Sequence, residues 1–247
     1  MLLTVDVGNT NIKSALCDDD QIEGYKVHGN IENVIDYISL TNFDVVAICS
    51  VNPVSEKILL SKLQDLNLPV FQSNVNQRFN FTISYQTPDT LGMDRVCSAA
   101  GALENATKEK IISKNQYLIT IDFGTATTIN IVSPDRKFIG GLIAPGIKTM
   151  LKSLNQNTAL LPLIDTNSYE GMIGKSTESS IISGVITSTI GMVNETAEKL
   201  KNDSNNDPVI FVTGGNSKLI LPYFRYKAYY EEALVLKGLK IVYDLNK

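Results

Sequence analysis

Soft and switchable metal ligands are scarce in this chain, which holds one histidine, His28, and three cysteines, Cys17, Cys49 and Cys97. The histidine lies in a polar neighbourhood, so mechanisms built on a His base or a His-rich metal site are excluded. The cysteines form no C-x-x-C pair and are odd in number. That pattern fits a reducing cytoplasm and rules out a zinc site. No run of Lys or Arg is long enough to track a phosphate backbone, and the formal charge is −4, so no nucleic-acid partner is expected. No apolar stretch reaches the length of a membrane span. The N-terminus enters a strand without a basic leader. The expectation is a cytoplasmic protein with no membrane partner, and 247 residues suffice for one large domain or two modest ones.

What the chain does have, it uses twice. Residues 3–13 run through Asp6-Val7-Gly8-Asn9-Thr10-Asn11-Ile12-Lys13, and residues 119–129 through Asp122-Phe-Gly124-Thr125-Ala-Thr127-Thr128. In each, an apolar run ends in Asp-x-Gly, small hydroxyl or amide residues follow, and a second apolar run begins. That is the grammar of two strands joined by a tight polar turn. Glycine lets backbone N–H groups approach an anion, and Thr and Asn add side-chain donors. A single Asp-x-Gly is usually an ordinary hairpin. Two copies suggest two related half-domains gripping the phosphates of one nucleotide.

The order of elements points the same way. Strands are expected at residues 2–5 and 12–16, then near 25–27 after an acidic turn at 18–20. A helix at 31–40, a buried strand at 45–49, a helix opened by Pro53 and running to about 65, and a strand at 68–71 follow. After residue 115 the order recurs, with strands at 117–121, 127–132, 138–142, 209–212 and 228–230 and a closing helix at 231–243. This resembles the ribonuclease H-like fold of sugar kinases, actin and heat-shock ATPases: α/β, in two domains, each a mixed sheet with flanking helices. The linker-like stretch 108–116 sets the expected domains at 1–112 and 113–247. The helix from 177 to about 201 carries an apolar stripe of Ile182, Val185, Ile186, Ile190, Val193, Ala197 and Leu200. Its other faces carry Ser179, Ser180, Ser183, Gly184, Ser188 and Gly191. Those small residues suit either a subunit interface or close packing within the monomer.

Chemistry is expected in three places. In the first turn, Gly8, Asn9, Thr10 and Asn11 offer donors to phosphate oxygens, and Lys13 can neutralise charge developing on a transferring group. In the second, Thr125, Thr127 and Thr128 offer hydroxyls and Asp122 a carboxylate for a cation. Between them, Gly92-Met93-Asp94-Arg95 leads into a small-residue helix. Asp94 there is either an acid favoured by the helix dipole and paired with Arg95, or a base that orients a substrate hydroxyl. Arg95 is expected to lower its pKa. A loose phosphoryl-transfer transition state needs little deprotonation, so positioning can dominate. Gly140–Gly146 and Thr213-Gly214-Gly215-Asn216 are candidate walls of a nucleotide site. Gly171–Ser176 mimics the end of a P-loop, but Tyr169 stands where the first glycine is required and no buried strand precedes it.

Taken together, these motifs resemble the bacterial type III pantothenate kinases along nearly the whole chain. They run through 6–10, 92–95, 122–128, 140–146, 175–179 and 213–215, to the ending 236–239. The resemblance implies ATP-dependent phosphorylation of the primary hydroxyl of pantothenate, the first step toward coenzyme A, by a homodimer. It implies that Asp6, Val7, Gly8, Asn9, Thr10, Asn11, Ile12, Lys13 and Thr125 bind ATP and that Asp94 accepts the proton. It implies that Tyr85, Gly92, Met93, Asp94, Arg95 and Thr177 bind pantothenate, Thr177 across the dimer interface. Asp122 would hold a monovalent cation, K+ or NH4+, and Mg2+ would travel with ATP. Met93 and Ser176 stand where the family often has Ala and Asn. Tyr85 is alternatively a core aromatic near Phe79 and Phe81. Two other readings are a non-catalytic actin-like nucleotide switch and a kinase of another small alcohol.

Overall fold

The computed structural model describes residues 1–18, 21–166 and 169–247, so Asp19 and Asp20 of the expected acidic turn lie outside the described residues. The chain packs as two compact units. One comprises Met1–Ile112, Asp135–Gly140 and Ala233–Lys247, the other Ser113–Pro134 and Gly141–Glu232.

The first unit begins β1 (Leu2–Val7), β2 (Ile12–Asp18), β3 (Gln21–His28), α1 (Ile31–Ser39), β4 (Val45–Ser50), α2 (Pro53–Asp65), β5 (Val70–Gln72). Its sheet has the order β3-β2-β1-β4-β5. The first three strands are antiparallel, and β4 and β5 join in parallel. Every residue of β1 is buried, as a strand covered on both faces requires. Leu3, Val5, Val7, Val46 and Ile48 pack with Val34, Ile38, Leu59 and Leu63 from the two helices. Asn30 caps α1, and Asn52 caps α2 with Pro53 in the first turn, which satisfies backbone donors that a helix start leaves open. Strand β5 starts two residues later than the sequence predicts. The Leu68 amide still bonds the Leu63 carbonyl, so that stretch belongs to the end of α2. A short β6 (Thr82–Ile83) and α3 (Met93–Lys108) follow.

The second unit repeats the plan. It holds β7 (Leu118–Phe123), β8 (Ala126–Val132), the latter part of β9 (Lys137–Pro145), α4 (Ile147–Asn157), α5 (Thr177–Ser204), β10 (Val209–Thr213), α6 (Ser217–Ile220) and β11 (Ala228–Tyr230). Its strand order, β9-β8-β7-β10-β11, matches that of the first unit position for position. The start of β9 belongs to the first unit, where Lys137 and Phe138 pair with Thr82 and Ile83 of β6. Two residues are too few to announce a strand, and β6 was not legible beforehand. Along α5, Ile182, Val185, Ile186, Val193 and Ala197 are buried as the stripe predicts. Ser183 is buried too, donating to the Gly171 carbonyl at 2.6 Å, so it is not part of the outer small-residue face.

The closing helix α7 (Leu234–Asn246) starts three residues later than expected and packs in the first unit. Glu231 is still tied to β10 by its amide bond to Val212. Helix α7 crosses α3 through two glycines. A Cβ on Gly101 would lie 2.6 Å from the Leu234 carbonyl oxygen, and one on Gly238 would overlap the Cys97 carbonyl. The crossing brings the two backbones together and fixes the helix that carries Asp94.

Candidate active site

The first turn is built by the β1–β2 hairpin. Asp6 stands opposite Lys13, and Val7 opposite Ile12. Gly8 is required by space, because a Cβ there would come 2.8 Å from the Asn11 carbonyl oxygen. Asn9, Thr10 and Asn11 are exposed, whereas Asp6 is only 6% exposed. On the other side of β1, Asp6 pairs with Cys49 of β4, whose thiol donates to Asp6 Oδ1 at 3.6 Å. The neighbouring Cys97 thiol, burial, and the nearby carboxylates of Asp6 and Asp94 push the Cys49 thiol well above its ordinary pKa. It is protonated at neutral pH and available as a donor.

The second element of this unit is the start of α3. Gly92 caps the helix without a side chain, and Asp94 and Arg95 occupy the first turn. Asp94 Oδ1 accepts the Arg95 amide proton at 2.8 Å. A Cβ on Gly92 would meet that same oxygen at 2.6 Å, so the glycine leaves room for the carboxylate. The sequence expectation that Arg95 sets a low pKa needs correcting. Burial raises the Asp94 pKa, and it outweighs the amide bond and the charges of Arg95 and Lys13, which pull it down. Desolvation of the charged form is the dominant cause, and it makes Asp94 a better base.

Arg95 is 6% exposed, and its guanidinium carbon lies 5.9 Å from the centre of the Tyr85 ring and 5.8 Å from that of Phe138. Tyr85 itself meets Phe138 edge-on at 6.3 Å, and its ring reaches within 3.3 Å of where a Cβ on Gly140 would be. Tyr85 is therefore half-buried beside Arg95, while Phe79, Phe81 and Phe138 form the stacked aromatic core behind it. The two sequence readings of Tyr85 meet here: part of the ring packs and part is accessible. Met93 is buried.

In the second unit the β7–β8 hairpin sets Asp122 opposite Thr128 and Phe123 opposite Thr127. Here the neighbours are backbone. Gly214, at φ +95°, ends β10 against this turn, where a Cβ would overlap Asp122 Oδ1 and lie 2.6 Å from the Phe123 amide nitrogen. The Asn216 amide and its side chain both donate to the Phe123 carbonyl, each at 3.2 Å. The Thr125 carbonyl accepts from the Gly146 amide at 3.0 Å and from Thr149 Oγ1 at 2.7 Å. The Thr125 side chain is exposed and Thr127 is buried. Thr177 is exposed at the first position of α5, which Ser176 caps through a reciprocal pair with Ser179. The Lys175-Ser176 pair thus opens a helix, and no strand is present among the described residues from 161 to 174.

Within one unit, then, the fold gathers Asp6, Gly8, Lys13, Tyr85, Gly92, Asp94 and Arg95; within the other it gathers Asp122, Gly124 and Thr125 with the two glycine-bearing segments. Cys49, Cys97 and Thr149 escaped notice as site residues, whereas Asn216 lies in the candidate wall 213–216. For Asn216 the signal was present in Thr213-Gly214-Gly215. For Cys49 there was none, because an apolar run of strand residues hides a thiol among aliphatics. Among the described residues no group of three or more His, Cys, Asp or Glu side chains could hold a metal ion, and no helix is long and apolar enough to cross a membrane.

The family model for type III pantothenate kinase matches residues 2–199. A type III pantothenate kinase of Syntrophus aciditrophicus is 27% identical over 261 residues, covering 100% of both chains. One from Sulfurihydrogenibium is 31% identical over 262 residues with the same coverage. Among solved structures, a Campylobacter jejuni protein assigned to the Baf family of transcriptional activators aligns with a TM-score of 0.65 at 20% identity, covering 98% of this chain and 97% of that one. A glucokinase from an Antarctic psychrotroph aligns at 0.51 and 9% identity, over 98% of each chain. At such identities these structures establish the actin-like and sugar-kinase fold and nothing about activity.

Proposed function

The chain belongs to the type III pantothenate kinase family, and from that membership we propose that it transfers the γ-phosphoryl group of ATP to the primary hydroxyl of pantothenate. The observation that carries the reading to particular residues is Asp94. Its carboxylate is part-buried at the start of α3, raised in basicity, and within electrostatic reach of Lys13, which is paired across the hairpin with Asp6.

The substrate hydroxyl oxygen forms a bond to the γ-phosphorus as the bond to the β–γ bridging oxygen breaks and ADP leaves. Asp94 orients the hydroxyl and takes its proton. The backbone and side chains of Gly8, Asn9, Thr10 and Asn11 bind the phosphates within the segment Asp6–Lys13, and Lys13 meets charge that grows on the transferring group. Thr125 adds a phosphate contact. Tyr85, Gly92, Met93, Arg95 and Thr177 bind pantothenate. Magnesium bound to ATP would supply further charge neutralisation beside Lys13. Asp122 would hold a monovalent cation, K+ or NH4+, and the close backbone of Gly124 and Gly214 suits a small cradle of oxygen ligands. The two functional domains divide near residue 112, with Asp135–Gly140 and the closing segment Ala233–Lys247 returning to the first unit.

We place the enzyme in the cytoplasm, a reading supported by three buried, free cysteines, and read it as a homodimer. The outer face of α5 supports the dimer. Ser180, Gly184, Ser188 and Gly191 are exposed there, and a Cβ on either glycine would meet nothing within 4 Å. Leu160, Leu163, Met172 and Ile173 of the same unit are exposed as well. The test is ADP release over a panel of small alcohols, with potassium, ammonium or sodium as the salt. Turnover with pantothenate, raised by potassium or ammonium, is expected. A better turnover with another alcohol, or ATP binding without transfer to any, overturns the assignment. Sedimentation at micromolar concentration should show a dimer; a monomer removes Thr177 from a shared site.

A further inference from the structure

Asp6 and Asp94 reach the first unit's site on different elements, β1 and α3, and a pair of buried thiols lies between those elements. Cys49, 1% exposed, is the β4 residue registered directly beside Asp6, and it donates to Asp6 Oδ1 at 3.6 Å. Cys97, fully buried, is three residues beyond Asp94 on α3, and its thiol is among the neighbours that raise the Cys49 pKa. An ionised carboxylate only accepts, and a thiol has one proton. The Cys49 proton therefore goes to Asp6. Asp6 cannot choose its rotamer without regard to this donor, because a buried charge that loses a hydrogen bond is costly.

We propose that Cys49 is a positioning residue for ATP binding: its thiol holds the Asp6 carboxylate in the orientation that the Gly8–Asn11 turn and Lys13 need. This inference rests on the reading of Asp6–Lys13 as the ATP phosphate site, and it adds no contact between Cys49 and the nucleotide.

The test measures ATP binding to the full-length protein by calorimetry, and steady-state kinetics with each substrate varied, for Cys49→Ala, Cys49→Ser, Asp6→Asn and the Cys49→Ala/Asp6→Asn double variant. Cys49→Ala removes the donor and should weaken ATP binding about tenfold, the scale of one hydrogen bond to a charged group, with the KM for pantothenate unchanged. Cys49→Ser keeps a donor and should stay within about twofold of the parent. In the Asp6→Asn background, Cys49→Ala should cost nothing further, because the two act as one unit. Equal losses for Ala and Ser, a loss shared equally by both substrates, or additive losses in the double variant would show a packing role and overturn the inference. Parent protein that fails to bind ATP removes the phosphate-site reading itself. Parent protein that binds ATP, with Cys49→Ala binding as tightly, removes only the role of Cys49. If Cys49→Ala does not fold, Cys49→Val, which fills the site without a donor, decides the matter beside Cys49→Ser. Retention of ATP affinity in Cys49→Ser with weakening in Cys49→Val supports the role of the thiol donor, and equal affinity in both overturns it.

Discussion

The two Asp-x-Gly hairpins share a strand order and a turn grammar, yet the fold surrounds them with different material. At the first, the neighbours of Asp6 are side chains, Lys13 across the hairpin and Cys49 on the next strand, and Asn9, Thr10 and Asn11 are exposed. At the second, backbone closes in. Gly214 abuts Asp122, Asn216 clamps the Phe123 carbonyl, and Gly146 with Thr149 clamps that of Thr125. A turn with exposed amide and hydroxyl groups can follow phosphates through a reaction, whereas a turn pinned at its carbonyls is a rigid cradle. Duplication of a motif therefore does not duplicate its task. What packs against each copy decides.

The largest effect should come from Asp94, on the side of the first hairpin. Asp94→Asn is expected to lower kcat by about 10²–10⁴-fold, the usual scale for a lost general base. Its stability should move the other way. Burial raises the Asp94 pKa, so the native state holds this proton more tightly than the unfolded chain. The stabilisation is fully present below the unfolded pKa, and it is lost as pH rises through the native one. Asn never ionises, so Asp94→Asn should melt above the parent at neutral pH, and the two should converge in acid, below the ordinary carboxylate range. A thermal melt series across pH checks this. A variant less stable than the parent at neutral pH would make Asp94 a helix acid paired with Arg95 rather than a poised base.

Next in size is the charge of the first hairpin. Lys13→Met should cut kcat by about 10²–10³-fold, as removal of a donor aimed at developing charge does, while ATP binding weakens much less. Asp122→Asn should behave differently, with its main effect on the response to potassium or ammonium. If Lys13→Met changes the salt response and Asp122→Asn changes kcat at saturating salt, the assignment of the two hairpins is reversed.

The contrast was only half visible in the sequence. The paired turns, the strand order of each unit and the helix stripes follow from local patterns that a strand or helix must satisfy. Surroundings are another matter. Nothing local says that Gly238 crosses α3 at Cys97 and draws α7 into the first unit, since that depends on two helices more than a hundred residues apart finding a common notch. Burial of Asp94 is likewise a tertiary property, and for that reason Arg95, its visible neighbour, misled the pKa expectation. The glycines at 146 and 214 were legible as turns, but not as clamps on one particular hairpin.

Rigidity of the second hairpin is tested by Gly214→Ala. The residue is at φ +95° and its Cβ would overlap Asp122 Oδ1, so strain and overpacking together should cost roughly 2–4 kcal/mol of stability. Gly8→Ala meets only the Asn11 carbonyl, at 2.8 Å and without a positive φ, and should cost about 1 kcal/mol. Chemical denaturation measures both. Equal costs would mean that the first hairpin is as tightly enclosed as the second.

Smallest of all should be the effect of the Thr125 side chain. The backbone of this residue is anchored by Gly146 and Thr149, and the side chain itself is exposed. Thr125→Ala leaves the anchors in place, so stability should change by less than about 0.5 kcal/mol, as for an exposed surface substitution. ATP affinity should fall by about tenfold, the low end of one hydrogen bond to a charged group. Thr149→Val is the complementary change, since it deletes a donor to the Thr125 carbonyl and leaves the phosphate-facing hydroxyl untouched. It should lower stability more than Thr125→Ala does. If Thr125→Ala proves the more destabilising, the hydroxyl is structural, and the phosphates belong to the first hairpin alone.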